Sequence, residues 1–219
     1  GGWYVTGKHG SQEHLGNLVI HDTKAPREAD NEQGQNVTEL GDRLEVGKYL
    51  SPHSDIVALM MLEHQTLVHN RLTKANFETR RALYYEADFN RSFGEPEEKR
   101  LESTTRRIQS AGDDLVDALL LADEAELSQP ISGTSGYAAK FAEAGPRDDL
   151  GRSLRELDLK RRLFRYPCSY LIYSQAFDAL PHEMRDYVWK RLWSVLSEGQ
   201  DTVRFAHISY EDRRAIHQR

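Results

Sequence analysis

Residues 53–90, HSDIVALMMLEHQTLVHNRLTKANFETRRALYYEADFN, constrain this chain more than any other stretch. Val57, Met61, His64, Val68, Leu72, Ala75 and Leu83 recur at the i, i+3/i+4, i+7 spacing of a buried helical stripe, which predicts one long amphipathic helix. Glu63 and His64 interrupt the run of aliphatic and thioether side chains. A polar group buried without a partner costs roughly 2–7 kcal/mol, so each of the two is expected to have one. Ser51-Pro52 reads as N-cap and first helical position, and Ser92-Phe93-Gly94 as the end.

The remaining elements follow from punctuation. Residues 1–50 are rich in Gly, Asn, Asp and His and predict an ordered loop, with short strands possible at Trp3–Thr6 and Leu18-Val19-Ile20 and a polar surface run over 23–37. A second helix is expected from Glu95-Pro96-Glu97-Glu98 towards Leu127, broken or kinked near Gly112. Its stripe is Leu101, Ile108, Leu115 and Leu119, and its first-turn acids suit the helix dipole. A linker over 128–133 precedes a short helix around Tyr137–Ala144, stopped by Gly145-Pro146. Residues 150–164 predict a basic amphipathic helix with i, i+4 pairs Arg152–Glu156 and Glu156–Lys160. Pro167 precedes an apolar segment, Cys168–Leu180. Pro181 opens a helix to about Ser197, ended by Gly199, and Ser209-x-x-Asp212 starts the last one as a loose capping box. The expected fold is mainly α: an irregular helical bundle over residues 51–219, wrapped by the loop-rich section 1–50.

Bulk properties narrow the function classes. With 219 residues the chain can bury a sizeable core. A mean hydropathy of −0.70 and 29% charged residues require many solvated helix faces. Net charge −6 argues against nucleic acid or an anionic membrane as the main partner, and no run reaches the ~18 apolar residues of a membrane span. The single cysteine, Cys168, precludes an internal disulfide and any CxxC motif and reads as a packed core thiol. A first residue that is Gly, and a stop at Arg219 within a helical pattern, lead us to expect a piece of a longer protein.

Seven side chains are candidates for a cofactor site. His9 and His14 lie five apart on a Gly-flanked loop and could converge on one metal, present one axial ligand each, or simply bond the backbone. On the long helix, about 100° per residue separates His64 and His69 by about 140°, so they cannot share an ion. His64 sits on the apolar stripe, while His69 lies on the polar side. Glu63 is placed as a ligand, a supporting partner, or a carboxylate satisfied by an arginine from the basic run at 152–165. Met60 and His64 are i, i+4 neighbours on one face and cannot ligate one iron from opposite sides. His53 completes the set. Trp189 and Trp193, one turn apart, suit a core or an interface.

The stretches GGWYVTGKHGSQEHLGN, YLSPHSDIVALMMLEHQTLVHN and GRSLRELDLKRRLFRYPCSYLIYSQAFDALP resemble a family of predicted secreted, cytochrome c-like bacterial haem proteins of largely unassigned function. Family members carry a CxxCH haem-attachment motif upstream of the matching GGWYVTG segment, where this chain starts. The resemblance implies a periplasmic or exported protein, a c-type haem, and a redox protein or other cytochrome-complex subunits as partners. His9, His14, His53, His64 and His69 then become candidates for axial or supporting positions, with Met60 and Glu63 alongside. The leading expectation is a haem-associated electron-transfer protein, with His64 first as axial ligand and the His9/His14 loop next. The alternatives are a metal-dependent enzyme built on Glu63, His64, His9 and His14, and a non-catalytic helical subunit.

Overall fold

A computed structural model describes residues 3–18, 20, 24, 31–197 and 203–218. The fold is mainly α, with six α-helices and no β-sheet among the described residues. In chain order these are α1 (Ile56–Phe93), α2 (Glu102–Leu119), α3 (Tyr137–Glu143), α4 (Gln175–Asp178), α5 (His182–Ser197) and α6 (Tyr210–His217). The chain divides into two compact units, one of Gly1–Glu63 with Ala125–Arg165 and one of His64–Glu124 with Tyr166–Arg219. No helix among the described residues is long and apolar enough to cross a membrane.

The predicted stripe of α1 is real through Ala75: Val57, Met61, His64, Val68, Leu72 and Ala75 are all buried. Beyond that point Leu83 is only half-buried, and the face continues through Thr79, Ala82, Glu86 and Asn90. Each step of this face is three or four residues, close to the period of an α-helix. Thr79, Glu86 and the Asn90 amide nitrogen have partners nearby, while Asn90 Oδ1 is buried without a hydrogen-bond partner among the described residues. Thr79 Oγ1 donates to the Ala75 carbonyl (2.8 Å), and Glu86 accepts from the Leu101 backbone N–H (2.7 Å) and pairs with Arg100 (3.1 Å). Asn90 Nδ2 donates to the Lys99 carbonyl (2.8 Å).

That arrangement explains why α2 starts later than expected. Glu95–Arg100 forms turns tied to Asn90 and Glu86, so the acids at 95–98 are not in a first helical turn. The helix also ends at Leu119, and it runs unbroken through Gly112. There the absent side chain makes room for α5, since a Cβ at Gly112 would lie 2.3 Å from Tyr187 Cδ1. The second unit is built around this α2–α5 contact, with Met184, Val188, Leu192 and Val195 of α5 buried. Cys168 is buried in the same unit, while Trp189 and Trp193 are about half-exposed, so neither is a core residue. Trp193 lies against His217 of α6. α6 begins as its sequence predicts, with Ser209 Oγ accepting from the Asp212 N–H (3.1 Å).

The first unit has little helix and is held by side-chain amides. Asn17 pairs with both backbone groups of Val5 (2.8 and 2.7 Å), in the manner of a strand neighbour, and donates to the Gly34 carbonyl (2.9 Å). Asn36 does the same for His9 and Gly10 (2.8, 3.1 and 2.8 Å). Trp3–Thr6 is therefore not a strand, and contributes a single bridge from Thr6 to Asp55. Of the second expected strand, Val19 lies outside the described residues, as do Gly199 and most of 23–30. A small core of Val5, Ile56, Val57 and Ile131 is flanked by Leu59, Met60, Leu127 and Tyr137.

The helix expected over 150–164 is absent. Leu157 and Phe164 instead form an antiparallel bridge closed by a turn at Asp158–Arg161. Asp158 Oδ1 accepts from the Lys160 and Arg161 N–H groups (2.9 and 3.0 Å), and Leu159 takes a left-handed φ of 56°. A carboxylate that bonds the backbone two and three residues on competes directly with helix formation. The i, i+4 pairs expected of a helix change with it. Arg152 pairs with Asp148 (2.7 Å), and Glu156 pairs with Arg147 (3.4 Å) and Arg165 (3.6 Å).

Candidate functional site

The approach to α1 carries the densest polar constellation of the first unit. Asp55, 5% exposed, is the true N-cap of α1, displacing the expected Ser51-Pro52. Its Oδ1 accepts from the Val57 N–H (2.9 Å) and, more weakly, from Ala58 (3.4 Å). Its Oδ2 accepts from the Thr134 N–H (2.9 Å), the Ser135 N–H (2.8 Å) and the Ser135 hydroxyl (2.6 Å). Burial raises its pKa, but these donors outweigh burial and hold the carboxyl below the usual carboxylate range. Gly133 is required beside it, because a Cβ there would lie 2.2 Å from Oδ1.

The loop fixed by Asp55 in turn orients a histidine. Thr134 Oγ1 is hydrogen-bonded to Thr6 Oγ1 (2.7 Å) and to His53 Nδ1 (3.1 Å). Thr6 is fully buried and also accepts from the Ser54 N–H (3.1 Å). His53 is exposed, and its Nε2 has no hydrogen-bond partner among the described residues. An imidazole held through Nδ1 with Nε2 turned outward is the arrangement in which histidines serve as metal or haem ligands.

His9, His14 and His64 each have a ring nitrogen engaged within their own unit. His9 is buried, its Nε2 accepting from the Asn36 N–H (3.0 Å) and its Nδ1 donating to the Gln12 carbonyl (2.6 Å). Both nitrogens therefore serve the loop. His14 meets His9 edge-on with centroids 4.8 Å apart, and its Nδ1 accepts from the Gly16 N–H (3.0 Å). Burial, then the nearby His9, lowers its pKa and keeps it neutral at ordinary pH.

His64 lies in the second unit, 7% exposed, with Nε2 2.7 Å from Ser169 Oγ. Ser169 has no exposed surface and caps the short 3-10 turn at Tyr170–Tyr173, so this Ser–His pair cannot meet a substrate as a nucleophile and base would. Burial pushes the His64 pKa down to about 4. Its unfolded value is about 6.5. Above that pH both states are neutral and no stability depends on the group. Between about pH 6.5 and 4 only the unfolded chain takes the proton, and stability is expected to fall by about 1.4 kcal/mol per pH unit. Denaturant titrations from pH 7 to 4 should show this slope in the wild type and its loss in His64→Gln. An equal slope in both would refute the assignment.

Glu63 is exposed, one residue off the stripe, so the buried carboxylate and its arginine bridge are corrected. His69 is exposed as its helical phase requires, and Met60 packs against the small core of the first unit. Among the described residues no group of three or more His, Cys, Asp or Glu side chains is arranged to hold a metal ion. Sequence reasoning missed Asp55, Thr6, Thr134 and Ser135. Ser54-Asp55 ahead of an apolar run is an N-cap signal that would have found the first of them.

No family model, curated protein or solved structure matches this chain.

Proposed function

We propose that this chain is a haem-associated electron-transfer protein of the bacterial cell envelope, in which His53 supplies an axial ligand. The observation that carries the reading is the exposed His53 ring, anchored through Nδ1 on Thr134 and with no hydrogen-bond partner at Nε2 among the described residues. This replaces His64, His9 and His14 as first choice, since their bonded nitrogens would have to leave buried or loop-forming contacts. Neutral imidazole is a donor that suits a haem iron, and His53 is the residue that would hold it. When bound, the group supplies a one-electron Fe(III)/Fe(II) couple. The chain's own part is to hold the imidazole in one tautomer and orientation: Asp55 fixes the 134–135 loop, and Thr134 fixes the ring.

The native protein, purified from its source with its full chain, should show a Soret band. His53→Ala should shift the visible bands and the midpoint potential, whereas His64→Gln should leave both in place. No Soret band in the native protein removes the haem reading. A Soret spectrum unchanged in a folded His53→Ala protein removes His53 as the ligand. The second reading, a non-catalytic helical subunit, draws support from the fully engaged His9 ring and predicts a cofactor-free native protein.

A further inference from the structure

A groove of about 440 Å³ opens in the second unit between α1 and α2. Lys74 and Glu78 line it from α1, and Ser103, Arg106, Arg107 and Ser110 from α2. The four α2 residues follow i, i+3, i+4, i+7 spacing and so share one side of that helix. Three cations and one carboxylate face the groove in a chain whose net charge is −6. The acids that answer these charges stand outside the lining. Lys74 bonds Asp114 (2.6 Å), and Arg106 reaches Glu102 at 3.3 Å. The single lining acid, Glu78, pairs with Arg81 (2.8 Å). Arg107 lines the groove and has no ion-pair or hydrogen-bond partner among the described residues.

We propose that this groove binds a small phosphate-bearing anion, with Arg107 as the principal ligand and Lys74, Ser103 and Ser110 as supporting donors. Guanidinium and phosphate pair through two parallel N–H···O bonds, and a hydroxyl on either side completes the oxyanion's acceptor set. The volume lies within the range of small-molecule sites and exceeds what inorganic phosphate alone fills. The proposal is independent of the haem reading, since none of these residues belongs to the His53 site.

The test is calorimetric titration of the full-length native protein with inorganic phosphate and, separately, with phenyl phosphate at about 0.15 M salt, where exposed long-range attraction is screened. Saturable 1:1 binding is expected, weakened about tenfold by Arg107→Gln and strengthened by Glu78→Gln. Arg80→Gln, an exposed cation that bonds Asn76 and does not line the groove, should leave affinity unchanged. Tighter binding of phenyl phosphate identifies a phosphorylated small molecule as the source, and equal affinity identifies free phosphate. Absence of saturation below about 10 mM, or equal affinity in the folded Arg107→Gln protein, overturns the site.

Discussion

Asp55→Ala is expected to destabilise the first unit by about 4 kcal/mol, the largest effect of any single substitution there. Four strong donors and one weaker one converge on the Asp55 carboxylate, and removing it strands the buried N–H of Val57 and the half-buried N–H groups of Thr134 and Ser135 together. Each unsatisfied buried donor costs about 1–3 kcal/mol, and loss of an N-cap costs about 1 kcal/mol in addition. Asp55→Asn keeps the shape but offers only one acceptor oxygen, so it should cost about half as much. The pH dependence separates charge from shape. Because the folded pKa is depressed, the wild-type contribution is complete above about pH 4, the unfolded value, and is lost as pH falls below it. The Asn variant should lack this limb. Amide hydrogen exchange at Val57 and Thr134 checks both variants, and protection equal to wild type in Asp55→Ala would contradict the account. The same substitution should loosen His53, since Thr134 loses its anchor.

Arg213→Met should cost the second unit about 3–5 kcal/mol, as breaking a buried charged network does. The guanidinium is 9% exposed and has no carboxylate partner among the described residues. It donates instead to three main-chain carbonyls: Val195 near the end of α5, Phe205 (3.0 Å) and Ile208 (3.2 Å). One side chain of α6 therefore closes the C-terminal turn of α5 and the connection that follows. A methionine fills the volume but withdraws all three of these bonds, leaving the Phe205 carbonyl only its bond from the Ile208 N–H (3.1 Å). Arg213→Lys should recover little, because a tetrahedral ammonium on a shorter reach cannot fork towards three separated oxygens. Urea denaturation followed by the fluorescence of Trp193, packed on His217 of α6, reads the effect directly. A loss below about 1 kcal/mol for Arg213→Met would show that the carbonyls are satisfied without it.

Local signals carried much of the helical content. The 3.6-residue period of α1, the Pro181 start of α5 and the Ser209 cap of α6 all depend on residues within a turn or two of each other. Failures arose where a side chain competed with the helical backbone or a partner lay far away in sequence. The arginine-rich run at 150–164 has helical composition, yet Asp158 captures two N–H groups and turns the chain back. Glu63 and His64 are adjacent in sequence, but helical phase exposes one and buries the other. His53 could not be ranked above His64 because its orientation depends on Thr134, 81 residues away. The basic groove was invisible for the same reason: Lys74 and Arg107 belong to different helices.

The N-terminal section of the first unit makes its fold unusually sensitive to chemical ageing. Asn17 and Asn36 each use the amide nitrogen and the amide oxygen, one end donating to a carbonyl and the other accepting from an N–H. Hydrolysis of either amide to a carboxylate preserves the volume while removing the donor and placing a negative charge against a carbonyl oxygen. In this section the one-atom difference between asparagine and aspartate would therefore act as a fold-breaking change, whereas on an exposed face of α1 the same conversion would be nearly silent.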